Sequence, residues 1–271
     1  MKKDGAKIIE YDAARMELES LREQLANLIE LLHHQETVVG PNLRNAYMLA
    51  IGRLEFQAYE LDMELRKWRR RHELRQAAIN QGDVPDPTAI EAQIDSEMEE
   101  YAKRLVEWRQ NCRNALASTQ MDYMSSAQMA NLRGMYLDAV KRLHPDLNPN
   151  LPPQAADLWN RMQKAYKDGN MREVEFLTTL VEDIVGSHRD FPRTAEGLTA
   201  MRLEYDRLKR QMRAVESEME NRKREKPLSY KFILEDDELV AQRQQEQKMR
   251  IETLTWQIRE CEKEWRNVNG N

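Results

Sequence analysis

The residues whose types and spacing could do specific chemistry lie near mid-chain, at His144-Pro145-Asp146 within Leu143–Pro149. A histidine offers ring nitrogens that donate or accept, and an aspartate offers a carboxylate. The proline between them stops any helix that reaches it, because it lacks an amide hydrogen and disfavours the α conformation at the residue before it. The preceding run places Met129, Leu132, Tyr136, Ala139, Val140 and Leu143 at the spacing of one buried helical face, so that His144 is predicted to be its last helical residue. A second helix is predicted to begin at Pro152-Pro153, where proline is tolerated in the first turn, and to bury Leu158, Met162, Ala165 and Tyr166. Two helices joined by so short a loop pack antiparallel and present the tripeptide at an exposed tip. The chemistry expected there is contact rather than catalysis. An exposed carboxylate at a fixed tip can pair with a partner's arginine, and the basic side chains Arg133, Lys141 and Arg142 can lie against an acidic groove. The bland reading of the same residues is a helix stop, with Asp146 capping its own loop.

Over residues 125–168, Lys141-Arg142-Leu143-His144-Pro145-Asp146, the following Asn148-Pro149, and Ala165-Tyr166 late in the next helix together resemble a J-domain, the module by which co-chaperones engage DnaK-type chaperones. The resemblance implies a partner-binding set of His144, Pro145, Asp146, Arg133, Lys141 and Arg142. It also implies stimulation of a DnaK-type chaperone's ATPase, with a client or assembly bound elsewhere on the chain. The sequence departs from the family in two places. No Tyr-x-x-Leu-Gly-like segment stands between Leu105 and Ser125, and the helix before the tripeptide carries only Arg133, Lys141 and Arg142 against Asp138. Those departures motivate the alternative, a structural coiled-coil scaffold whose J-like hairpin makes no chaperone contact.

The elements that must position the tripeptide read as long helices. Tyr11, Ala14, Leu18, Leu21, Leu25, Leu28 and Leu32 alternate at spacings of three and four, the pattern of a coiled-coil seam. After an expected break at Val38-Val39-Gly40-Pro41, a second seam runs from Tyr47 through Ile51, Leu54, Ala58, Leu61 and Leu65 to Trp68 and His72. A third helix is predicted after Gly82–Pro87, opened by a Thr88-x-x-Glu91 capping box, and Ser125 to Gln128 has a like form. Beyond Asp168-Gly169-Asn170, Val174, Leu177, Val181 and Ile184 mark a further helix. Leu198, Met201, Tyr205, Leu208, Met212, Val215 and Met219 then form one more seam, answered by Val240 to Trp265 with Gln244 and Gln247 inside it. The expected fold is all-α, with two long antiparallel coiled-coil hairpins flanking a small J-domain-like helical module. The expected division is 1–121, an N-terminal hairpin with a third helix; 122–185, the module; 186–193, a linker; and 194–271, a C-terminal antiparallel hairpin.

Composition bounds the remaining readings. With 33% charged and 7% aromatic residues in 271, the chain suits an elongated helical protein with much exposed surface. A net charge of -5 argues against a globally nucleic-acid-binding surface. The local basic run Arg66 to Arg75 is read as pairing with Glu91, Asp95, Glu97, Glu99 and Glu100, leaving nucleic acid an unlikely partner. His33-His34 are adjacent, cannot share one helix face, and have no Cys/His set around them, so neither a metal nor another cofactor is expected. No phosphate loop or nucleophile-base set suggests an enzyme. Two cysteines, Cys112 and Cys261, together with the lack of an apolar leader or spanning stretch, predict a reducing cytoplasm and no membrane association. The seams also allow homo-oligomerisation.

Overall fold

The structure is a computed structural model that describes residues 2–118, 124–184 and 191–269. In chain order the helices are α1 (Lys2–His34), α2 (Gly40–Tyr47), α3 (Arg53–Gln81), α4 (Pro87–Glu97), α5 (Glu99–Ser118), α6 (Ser126–Leu143), α7 (Pro153–Lys167), α8 (Met171–Ile184), α9 (Ala195–Arg224), α10 (Tyr230–Leu234) and α11 (Asp237–Asn269). Two π-helical turns, Gln35–Val39 and Met48–Gly52, precede α2 and α3. The chain is all-α, with no strand among the described residues.

Local signals set most boundaries. Ser125 opens α6 with a capping box, its hydroxyl accepting from Gln128 N–H while the Gln128 side chain accepts from Ser125 N–H. The cap of α4 is Asp86, not the expected Thr88: its carboxylate accepts the Thr88 N–H at 2.9 Å, and Pro87 fills the first helical position where no donor is needed. Gly82 ends α3 at φ 82°, a left-handed conformation that favours glycine. The expected third helix is two, interrupted at Met98.

By contacts the chain forms two compact units, each discontinuous in sequence: Met1–Pro41 with Asp122–Leu228, and Asn42–Met121 with Ser229–Asn271. The expected segments 1–121 and 194–271 are therefore each shared between units, and residues 186–190 of the expected linker lie outside the described residues.

In the first unit α1 packs along α9 and against α6, while α6, α7 and α8 pack on one another. Leu18, Leu21, Leu25 and Ile29 of α1 share one buried core with Met201, Leu208 and Val215 of α9 and with Leu132, Tyr136 and Val140 of α6. The direction of the coil is read from its ion pairs. Glu10 meets Arg202, Arg22 lies 3.6 Å from Glu204, and Glu36 meets Arg222, so the two strands rise together.

In the second unit α3 packs along α11, burying Ala58 and Leu65 with Leu254 and Ile258. The Gln244 amide donates to Ala50 C=O at 2.8 Å, and the His72 ring meets Cys261 C=O at 3.0 Å, again a parallel register. Ala50 belongs to a π turn, where the helical ladder slips by one residue, and one glutamine of the seam donates to its backbone there.

The expected antiparallel hairpins, one within 1–121 and one over 194–271, are corrected by these contacts: α1 takes α9, α3 takes α11, and both pairs are parallel. Seam periodicity requires that each helix have a partner but names neither the partner nor its direction. The break expected at Val38–Pro41 is also absent. The backbone stays helical there, with Gly40 N–H bonded to Gln35 C=O in a π turn and Pro41 in the first turn of α2, where its missing donor costs nothing.

Candidate partner-contact site

The His-Pro-Asp tip is built by backbone geometry first. His144 donates its N–H to Val140 C=O at 3.1 Å and then turns extended at ψ 128°, the conformation that a following proline imposes. Its own carbonyl accepts the N–H groups of Leu147 and Asn148 at 3.0 and 2.9 Å. The Asn148 amide donates to Lys141 C=O at 2.9 Å, satisfying a carbonyl left over at the end of α6. Leu147 is buried and anchors the loop from below, while Pro145 is exposed.

Asp146 is held by its backbone. Its N–H donates to His144 Nδ1 at 3.2 Å, which assigns the proton of the neutral imidazole to Nε2. Its carbonyl accepts from Arg207 Nη1 of α9 at 2.7 Å. Arg207 is itself fixed by two bonds to Glu204, at 2.7 and 2.6 Å, and one to Gln211 at 2.8 Å. The Asp146 carboxylate, half-buried, takes no hydrogen bond or ion pair among the described residues. The His144 ring meets Trp159 edge-on at 5.2 Å, and its pKa is lowered by burial against a smaller upward pull from Asp146.

The basic residues divide. Arg133 donates from Nε and Nη2 to Glu30 of α1 at 2.9 and 2.7 Å, and Glu30 is buried, with 5% of its surface exposed. Those hydrogen bonds push the Arg133 guanidinium further up. Tyr166 donates a third bond to Glu30 at 3.2 Å, and because its one proton is used there, His34 Nδ1, 3.1 Å away, must donate to the Tyr166 oxygen. Lys141 reaches Glu23, also on α1, at 3.3 Å. Arg142 is half-buried in the last turn of α6. His144, Pro145, Asp146, Lys141 and Arg142 thus share one end of α6. Arg133 stands about 12 Å further along, at about 1.5 Å per residue, and is held there by the buried Glu30.

Sequence reasoning missed the residues that grip this site from other helices. Glu30 falls between seam positions and reads as one surface acid among many; Arg207 precedes the seam residue Leu208 in a helix crowded with charge. His33, read only as a rejected metal ligand, bonds Tyr136 Oη and stacks on Trp159 with ring centres 5.9 Å apart. Its pKa is lowered to about 4, first by burial and then by His144 and Arg222, with Glu30 pulling the other way. No group of His, Cys, Asp and Glu suited to a metal occurs among the described residues.

The basic run on α3 lies against α4, as the charge pattern predicts for Glu91, Asp95 and Glu97, whereas the expected partners Glu99 and Glu100 instead pair with Lys103 one turn along α5. Lys67 meets Asp95 at 2.7 Å, Arg70 holds Glu97 through bonds of 2.8 and 2.9 Å, and Arg71 grips Glu91 with both nitrogens. The hydrogen bonds from these cations hold the three carboxyl groups below the usual carboxylate range. No protein-family model, curated protein or solved structure matches the chain. No helix among the described residues is long and apolar enough to cross a membrane.

Proposed function

We propose that this protein is a J-domain-type co-chaperone or adaptor that engages a DnaK-type chaperone through His144-Pro145-Asp146 and stimulates its ATPase. The observation that carries the reading is the state of Asp146: both backbone polar groups are tied down, while the carboxylate accepts no hydrogen bond among the described residues. An anchored, uncommitted carboxylate is pre-organised for a bidentate arginine on another surface. Lys141 and Arg142, at the same end of α6, supply the second contact. Arg133 is withdrawn from that set, because Glu30 already holds it. The long helices of the two coils would carry the client or assembly contacts, in a cytoplasmic setting.

A second reading, a scaffold with an inactive hairpin, is favoured by one observation: Arg133 and Lys141 are both paired with carboxylates of α1. Steady-state ATPase of a DnaK-type chaperone, with and without this protein, separates the two. Co-chaperone function requires stimulation by wild type and its loss in Asp146→Asn and His144→Gln, with Asp146→Asn melting within about 0.5 kcal/mol of wild type and both variants folded, His144→Gln giving up its contact with Trp159 and the bond from Asp146 N–H. Stimulation that survives both substitutions, or is absent from wild type, leaves the scaffold.

A further inference from the structure

We propose that the cleft beside the tip, in the first unit, is a docking site for an extended partner segment that combines a bulky apolar side chain with an adjacent carboxylate. The cleft has a volume of about 330 Å³ and is bounded by α1, α6, the loop after Asp146, and the approach to α9. Its floor is apolar, formed by Leu18, Leu147 and Met201, each at most 4% exposed, with Tyr11 and Phe191 at one end. That volume lies at the small end of ligand sites, enough for a few residues of extended chain and not for a folded surface.

The rim selects the charge. Three cations, Arg15, Arg22 and Lys141, face two carboxylates, Glu19 and Glu23. Arg15 pairs with Glu19 at 2.9 Å and Lys141 with Glu23 at 3.3 Å. Arg22 is the remainder. Its Nη2 lies 3.6 Å from Glu204, whose oxygens already take two bonds from Arg207, and its Nε is buried with no acceptor. The Arg22 side chain is 26% exposed and its pair with Glu204 is long, so a carboxylate brought into this cleft meets a cation that the chain holds only loosely. Lys141 is the second acceptor-seeking group within reach, since the Glu23 side chain that holds it is 65% exposed and such surface pairs exchange readily. Glu23 therefore competes, within the chain, with an incoming acid. The site does not depend on chaperone engagement, although it adjoins the tip.

The test is fluorescence anisotropy with a fluorescein-labelled octapeptide of alternating Asp and Leu, against the same peptide with Lys for Asp, titrated with the full chain at low and physiological salt. Expected are binding of the Asp/Leu peptide only, weakening with salt, about threefold tighter binding to Glu23→Gln, and at least tenfold weaker binding to Lys141→Glu and to Arg22→Gln. Circular dichroism is recorded for each variant. The Glu23→Gln gain keeps the test decisive if Arg22→Gln unfolds, because loss of folding cannot tighten binding. Equal binding of the Lys/Leu peptide, equal affinity for wild type and Glu23→Gln, or no binding to either overturns the proposal. Displacement of the Asp/Leu peptide by octanoate at matching concentration assigns the cleft to a small amphipathic acid, and a dimer in sedimentation that dissociates on adding the peptide assigns it to a second copy; either result also overturns it.

Discussion

Replacing Arg133 by methionine isolates the charge that the first unit buries. The aliphatic stem is kept, and the two hydrogen bonds to Glu30 are removed. The Glu30 side chain is 7% exposed and would be left with the Tyr166 hydroxyl alone. Breaking one partner out of a fully buried ion pair costs about 3–5 kcal/mol. The Arg133 side chain is 39% exposed, so water can replace part of the lost solvation, and the expected cost falls to about 2–3 kcal/mol. Glu30→Leu with Arg133→Met removes the stranded carboxylate and extends the apolar surface around Leu132 and Leu28. The double variant should return to within about 1 kcal/mol of wild type, since apolar replacement of a buried pair is often neutral. The assay is urea unfolding at pH 7 with hydrogen exchange read on the amides of α6 and α7, which reports the first unit separately from the second. A single variant costing under about 1 kcal/mol, or a double variant whose loss is the sum of the two singles, would refute the account of Arg133 as the counter-ion of a buried carboxylate.

Three further outcomes follow from the packing. His33 has a folded pKa of about 4 against 6.5 unfolded, so both states are neutral above about pH 7 and its contribution is complete there. As pH falls from 6.5 toward 4 the unfolded chain takes the proton first and stability is lost; His34 and His144, also lowered by burial, act in the same direction. Melting temperature should therefore drop across that window, and less in His33→Gln; an unchanged slope in the variant would be evidence against it. Arg207→Ala removes the bond to the Asp146 carbonyl and should cost about 1 kcal/mol, with faster exchange at the Leu147 and Asn148 amides; unaltered exchange there would show that α9 does not hold the tip. At Gly197 an added Cβ would collide with the Pro192 carbonyl oxygen, so Gly197→Ala should destabilise the start of α9 by about 1–3 kcal/mol in thermal unfolding, and a neutral result would contradict this packing.

What the sequence made legible is what local rules determine. The extended ψ at His144 follows from Pro145, the capping box at Ser125 from its own four residues, and the match of Lys67 and Arg71 to Asp95 and Glu91 from an antiparallel fold-back across a short turn. The seams were legible as seams, because apolar spacing reports which face of a helix is buried. Their pairing was not, because α1 and α9 are separated by more than 150 positions and several helices offer equivalent stripes. Val38–Pro41 shows the same limit on a smaller scale: Gly-Pro reads as a break, yet the backbone runs through a π turn into α2 with Pro41 in its first turn.

The candidate site divides along the same line, and the division has a functional meaning. The tripeptide is visible because its three residues are contiguous and one of them is proline. The residues that decide what the tip can contact, Glu23 and Glu30 of α1 and Arg207 of α9, are supplied by the parallel coil and come from elsewhere in the chain. The helix that buries Leu21 and Leu25 thus also carries the carboxylates that occupy Lys141 and Arg133. Any partner that needs the basic side chains of α6 must contend with that coil: it can exchange with the exposed Glu23 at small cost, but it cannot take Arg133 without stranding a buried Glu30. Under the proposed function, contact would therefore be confined to the end of α6, where Lys141 lines the apolar cleft and Asp146 stands one residue before the cleft residues Leu147 and Asn148.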